Sequence, residues 1–275
     1  GHSGLIVWFV NQVADAIKPL YPDKYIGTFA YQYTRQAPKG IVPRDNVVIR
    51  LCSIECCFAH GLEECEHNRP FIDDIKDWSE IAPNLYIWDY VVNYNQYLAP
   101  FPNFQVLADN IMTFRKYNAI GIQEEAQYQT LGGEFSDMKS WVIAKLLWNP
   151  ELDTEALTSE FISNYYDAAS PYIQQYFDLC KGLVKPDTVM GIYINQWNPL
   201  YTDAFIAEAK ALLDKAVESV KDADETIRHR VDLVKLQIAY LRVMRNVEET
   251  AADGTREWLG DFILKHDIRV NEWVK

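Results

Sequence analysis

Apolar and polar positions change their spacing repeatedly along the first 150 residues. Leu5, Trp8, Phe9, Val13 and Ile17 recur near a period of 3.6, which predicts a helix over 5–18 with those five residues as its buried face. Pro19 and Pro22 close it. Short apolar runs rich in aromatic and branched residues follow at 24–31, 46–52, 85–91 and 119–123, and each reads as a strand. Between them, helical spacing returns at 71–81, where Phe71, Ile72, Ile75 and Trp78 share a face. It returns again at 104–117 and 134–147. Strands alternating with helices are the pattern of parallel βα units. Four such units make half of a (β/α)8 barrel or a small open sheet.

Beyond Asn149-Pro150 the strand signals stop. Helices are expected at 153–166, 170–184, 202–221 and 224–247, with a last helix and a ragged end over 253–275. The division predicted is therefore an α/β domain over 1–150 and an α-helical bundle domain over 151–275. Nothing in the helical part carries a chemical motif; its Leu, Val and Tyr spacing is that of a core.

Each predicted strand runs into polar and aromatic residues. Tyr31 and Tyr33 follow the first, and Glu55 follows the second. The third ends in Trp88-Asp89-Tyr90 with Asn93 and Tyr94 beyond, and the fourth in Glu124, Glu125 and Tyr128. The C-terminal ends of parallel strands are where barrel and open-sheet enzymes keep their chemistry. No glycine-rich phosphate loop follows any strand, which argues against nucleotide binding.

The net charge of −13 excludes a general basic surface for nucleic acid or anionic membrane. No apolar run has the length of a membrane span. The 17 Tyr and 8 Trp exceed ordinary packing needs and suit the lining of a sugar site, although a large α/β core also consumes such rings. Gly1-His-Ser-Gly4 opens directly into a helical pattern, so a piece of a longer protein is expected. Four of five cysteines crowd into 52–65. Cys52, Cys56, Cys57, His60, Cys65 and His67 offer enough ligands for a structural zinc but follow no zinc-finger spacing closely. Disulfides and buried thiols are the competing readings.

Several phrases carry a resemblance: Phe9-Val-Asn-Gln-Val-Ala14, Thr28-Phe-Ala-Tyr31, the run from Asn46 to His60, Tyr86-Ile-Trp-Asp-Tyr90, Pro100-Phe-Pro-Asn-Phe104 and Ala144-Lys-Leu-Leu-Trp-Asn-Pro150. Over about 1–180 the chain resembles a domain-of-unknown-function family of secreted bacterial proteins, similar in turn to α-glucuronidases and β-hexosaminidases. The resemblance implies the second half of a (β/α)8 barrel followed by a helical domain, in the periplasm or outside the cell. The missing first half would carry an acidic site. The family shows Glu-Gln-Gly after its last strand; here the residues are Glu124-Glu125-Ala126.

Glycoside hydrolysis needs two carboxyl groups facing across a sugar, one protonated and one ionised. Asp89 and Glu124, at the ends of consecutive strands, are the expected catalytic pair. Tyr31, Tyr33, Glu55, Trp88, Tyr90, Asn93, Tyr94, Glu125 and Tyr128 are expected to line the same mouth. Arg50 can hold a uronate carboxylate bidentately or pair with a carboxylate in mid-strand. The function expected is that of a glycoside hydrolase-like protein acting on polysaccharide or a uronic-acid-bearing glycan, without cofactor. The alternatives are a non-catalytic carbohydrate-binding or scaffold domain, and a half-barrel that pairs with a second copy.

Overall fold

The computed structural model describes residues 1–127 and 132–271, a mixed α/β chain that folds as two compact units. The first comprises Gly1–Val91 and Val106–Glu125. It contains helix α1 (His2–Ile17), strand β1 (Ile26–Ala30), strand β2 (Val47–Cys52), helix α2 (Arg69–Ile81), strand β3 (Leu85–Tyr90), helix α3 (Leu107–Lys116) and strand β4 (Ala119–Glu125). The four strands form one parallel sheet in the order β1-β2-β3-β4.

That order has a consequence. Parallel crossovers are almost always right-handed, so strands that advance in one direction place every crossover on the same face of the sheet. Val47, Ile49 and Leu51 of β2 and Leu85 and Ile87 of β3 are fully buried on that face. Helix α1 packs on β1 and β2, and α3 on β4. Trp78 of α2 is buried, its indole N–H donating to the Arg35 carbonyl at 2.6 Å. Phe71 meets Phe114 of α3 edge-on at 6.5 Å. Each such large side chain contributes about 1.5–3 kcal/mol by burial.

Helix α1 presents the opposite face from the one its periodicity suggests. It buries Ser3, Val7, Val10, Asn11 and Ala14 and leaves Leu5, Trp8 and Phe9 exposed. The small side chains of Val7, Val10 and Ala14 allow close approach to the sheet. Asn11 fixes the orientation, donating to the Val42 carbonyl at 2.9 Å and accepting from the Arg44 N–H at 3.0 Å.

The second unit comprises Val92–Gln105 and the described residues from Ala126 onward. It holds helices α4 (Ser136–Trp148), α5 (Thr154–Tyr165), α6 (Ser170–Lys181), α7 (Asp203–Ser219), α8 (Glu225–Met244), α9 (Glu249–Ala252) and α10 (Thr255–Lys265). Neighbours in sequence pack on one another from α4 to α8, and α10 packs on α8. Asp153, Thr202 and Asp224 cap α5, α7 and α8 by accepting first-turn N–H groups. The predicted helix 224–247 stops early because Asn246 takes a left-handed conformation, φ 55°, and the Val247 N–H turns back to the Arg242 carbonyl. The segment 92–105 is pinned by Tyr94 N–H to Ile192 O and by Tyr201 Oη to Pro100 O. No helix among the described residues is long and apolar enough to cross a membrane.

Candidate functional site

Side chains alternate along a strand, so consecutive residues at a strand end serve opposite faces of the sheet. In β3, Leu85, Ile87 and Asp89 point toward the helices, while Tyr86, Trp88 and Tyr90 point the other way; burial follows this alternation along Leu85–Trp88. The register carries the division across the sheet. Asp89 lies beside Glu124, Trp88 beside Cys52 and Gln123, and Tyr90 beside Glu125. The residues expected at one mouth thus sort into two groups.

On the helix side, Asp89 is buried and hydrogen-bonded to Glu124, which is half-buried with its Oε2 shut off from solvent. Ser53 Oγ donates to Asp89 Oδ1, and the Tyr90 backbone N–H donates to the same carboxylate. Burial pushes the Glu124 carboxyl well above its usual range, and the neighbouring Asp89 charge and their shared hydrogen bond push it further. Burial also raises Asp89, against the pull of Ser53, the Tyr90 N–H and Glu124. The proton therefore resides on Glu124, which donates to ionised Asp89. Glu124 Oε2 is buried without a hydrogen-bond partner. Carboxyls in direct contact leave no room for a sugar between them, whereas glycosidase pairs stand roughly 5–10 Å apart. The arrangement is a proton-sharing dyad that fastens the ends of β3 and β4.

The other face carries an aromatic array. Phe29 and Trp88 stack at 5.4 Å between ring centroids. The Arg50 guanidinium lies 5.5 Å from the Tyr86 ring and 6.0 Å from the Phe29 ring. Its buried Nε has no hydrogen-bond partner, and no carboxylate among the described residues pairs with it, so the mid-strand ion pair expected for Arg50 is absent. Trp88 Nε1 donates to the Glu125 carboxylate. Cys52 and Tyr90 are buried against each other at the upper end, where burial pushes the Cys52 thiol up to about 12. Tyr31 stands near Tyr90, its hydroxyl accepting from Gln32 Nε2 at 3.1 Å. The Tyr86 ring crosses β4 at Gly121, where a Cβ would come within 2.4 Å of it. Any larger residue there would force the ring to move.

The remaining candidates lie elsewhere. Glu55 pairs with Arg35, which also holds Asp74 at 2.6 Å. Tyr33 is exposed and meets His2 edge-on at 5.6 Å. Asn93 and Tyr94 are buried within the second unit, Asn93 donating to the Ile194 carbonyl at 2.9 Å. They pin a loop of that unit. Tyr128 lies outside the described residues. The cysteine-rich loop holds free thiols, with no disulfide formed. Cys56 and Cys57 are buried, and Asn68 clamps the loop by bonding both the N–H and the carbonyl of Cys57. Among the described residues no three His, Cys, Asp or Glu side chains gather closely enough to hold a metal ion, so His60, Cys65 and His67 do not complete a site with the other thiols.

Sequence reasoning overlooked Ser53, Phe29 and Cys52 as members of these groups. Counting by twos from Trp88 and across the sheet reaches Phe29 and Cys52, and the same count from Asp89 reaches Ser53, once the register is known.

No curated protein and no solved structure matches the chain. Residues 1–178 match the family model described as Domain of unknown function (DUF4838), and the chain belongs to that family.

Proposed function

We propose that the first unit is half of a (β/α)8-type, glycoside hydrolase-like domain and that a polysaccharide binds against the sheet face carrying Phe29, Tyr86, Trp88 and Glu125. The observation that carries this reading is the aromatic array itself: three half-exposed rings surround one carboxylate and one unpaired guanidinium on the face that has no crossover helices. Aromatic faces stack on the C–H faces of sugars while polar tips take the hydroxyls. The sequential strand order supports the half-barrel, because barrels wind in one direction and keep all helices outside. The apolar stripe of Leu5, Trp8 and Phe9 on α1 suits contact with a further βα unit.

In this reading Glu125 is the carboxylate that faces substrate, oriented by Trp88. Asp89 and Glu124 are positioning residues that hold the strand ends. Arg50 receives the carboxylate of a uronic acid. Hydrolysis requires a second carboxyl group across the sugar, and that group would come from the other half of the barrel. Among the described residues this face carries one carboxylate where hydrolysis needs two, which favours as second reading a non-catalytic carbohydrate-binding domain.

Calorimetric titration with neutral and uronic-acid oligosaccharides, beside hydrolysis of a panel of aryl glycosides, tests the proposal. Binding is expected, weakened at least tenfold by Trp88→Ala. In a protein that supplies both halves of the barrel, turnover abolished by Glu125→Gln identifies a hydrolase, and binding without turnover selects the binding domain. If no oligosaccharide binds, the assignment of this face is wrong.

A further inference from the structure

The helical unit contains a second place built to receive a ligand. Helix α8 turns Lys235, Ile238, Ala239 and Arg242 to one side, at the spacing of a single helical face. Helix α7 contributes Lys210, Leu213 and Asp214, and the start of α10 contributes Asp253, Gly254, Thr255 and Trp258. Together they enclose a pocket of about 330 Å³. Its wall is apolar at Leu213, Ile238 and Ala239. Gly254, at φ 74°, has nothing within 4 Å of where a Cβ would lie, so the pocket stays open beside the first turn of α10.

The three cations here are not equivalent. Arg242 is engaged by Asp253 at 2.8 Å and Thr255 Oγ1 at 2.9 Å. Lys210 is engaged by Asp214 at 2.6 Å. Among the described residues Lys235 has neither a hydrogen bond nor an ion pair; its ammonium sits 3.8 Å from the centre of the Trp258 ring. Asp232, one turn back on α8, attracts it without contact, and Asp214 and Asp253 do the same across the pocket. An ammonium that lies on an aromatic face and touches no carboxylate keeps its three donors available to an incoming anion.

We propose that this pocket binds a small organic carboxylate, with Lys235 donating to the carboxylate and Trp258, Leu213 and Ile238 covering its carbon skeleton. Two of the three cations already have aspartate partners, so one ammonium is left for the ligand, and that matches a monoanion. A dianion such as phosphate would face Asp214 and Asp253 with too little compensation. Burial holds the Lys235 pKa below its ordinary value, and a bound carboxylate would raise it again.

Butyrate serves as probe, with chloride at equal ionic strength as control. The expected result is a saturable rise in Tm with butyrate and a matching shift of the Trp258 indole N–H resonance in the 15N-labelled chain, assigned with W258F. K235M should weaken butyrate binding at least tenfold, while K235R retains part of it. K235Q replaces K235M if the latter does not fold. Equal effects of chloride and butyrate would overturn the proposal, as would unchanged binding in both K235M and K235Q. Tighter binding of phosphate than of butyrate would overturn the monoanion assignment.

Discussion

A carboxyl group with an oxygen shut off from water beside a second, ionised carboxylate keeps its proton, and Glu124 is in that position. Its folded-state pKa lies above the ordinary 4.5. The folded chain therefore holds a proton over a range where the unfolded chain has released it. Stability from this group is complete below about pH 4.5 and declines as pH rises through the folded value, by ~1.4 kcal/mol for each tenfold change in proton affinity. Glu124→Gln retains a donor toward Asp89 and removes the titration. Urea unfolding from pH 4.5 to 8 should show a shallower fall for the variant, which becomes the more stable protein at the alkaline end. An unchanged slope would mean that Glu124 is ionised in the fold. Gly121 is a second single-atom constraint. A methyl group there meets the Tyr86 ring within 2.4 Å, so Gly121→Ala should lower stability by about 1–3 kcal/mol, and pairing it with Tyr86→Ala should recover part of that loss in the urea midpoint.

Elements show where period and packing disagree. The four strands were legible because their apolar runs sit between proline, glycine and asparagine breaks. The face of α1 was not, since Trp8 and Phe9 outweigh Val7, Val10 and Ala14 in any hydrophobic count, yet only the small residues fit against the sheet. Proximity in sequence makes the strand ends look like one mouth, because it hides the alternation that sends Asp89 and Trp88 to opposite faces. Helix α4 holds a feature that periodicity cannot report. Lys139 is 1% exposed and pairs with the 4%-exposed Glu134 at 2.7 Å, between the rings of Phe101 and Phe104. Removing one partner of a fully buried pair strands the other charge. Lys139→Met should therefore cost about 3–5 kcal/mol, measured by urea unfolding, and Lys139→Met with Glu134→Leu should restore most of it. Additive losses in the double variant would show that the two groups act independently.

For the molecule as a whole, strand order says more than strand count. Four parallel strands in sequence order leave one sheet face without crossover helices, and β1 and β4 as edges that no other strand of the described residues pairs. The sequence could announce the βα alternation but not this order, which depends on contacts between residues 20 to 40 positions apart. Exposed edges and apolar stripes favour association with another chain. Leu5, Trp8 and Phe9 are 65%, 54% and 62% exposed along one side of α1. Opposing them is the net charge of −13, whose repulsion weakens as salt shortens the screening length from about 30 Å at 0.01 M to about 8 Å at 0.15 M. The chain should accordingly self-associate more strongly at higher salt, as read by sedimentation velocity. Phe9→Glu should return it toward the monomer without lowering stability by more than about 0.5 kcal/mol, because the side chain packs against little in the fold. A monomer at every salt concentration would show that the stripe is too small to drive association. Association that Phe9→Glu leaves intact would place the contact on a sheet edge or elsewhere, away from α1.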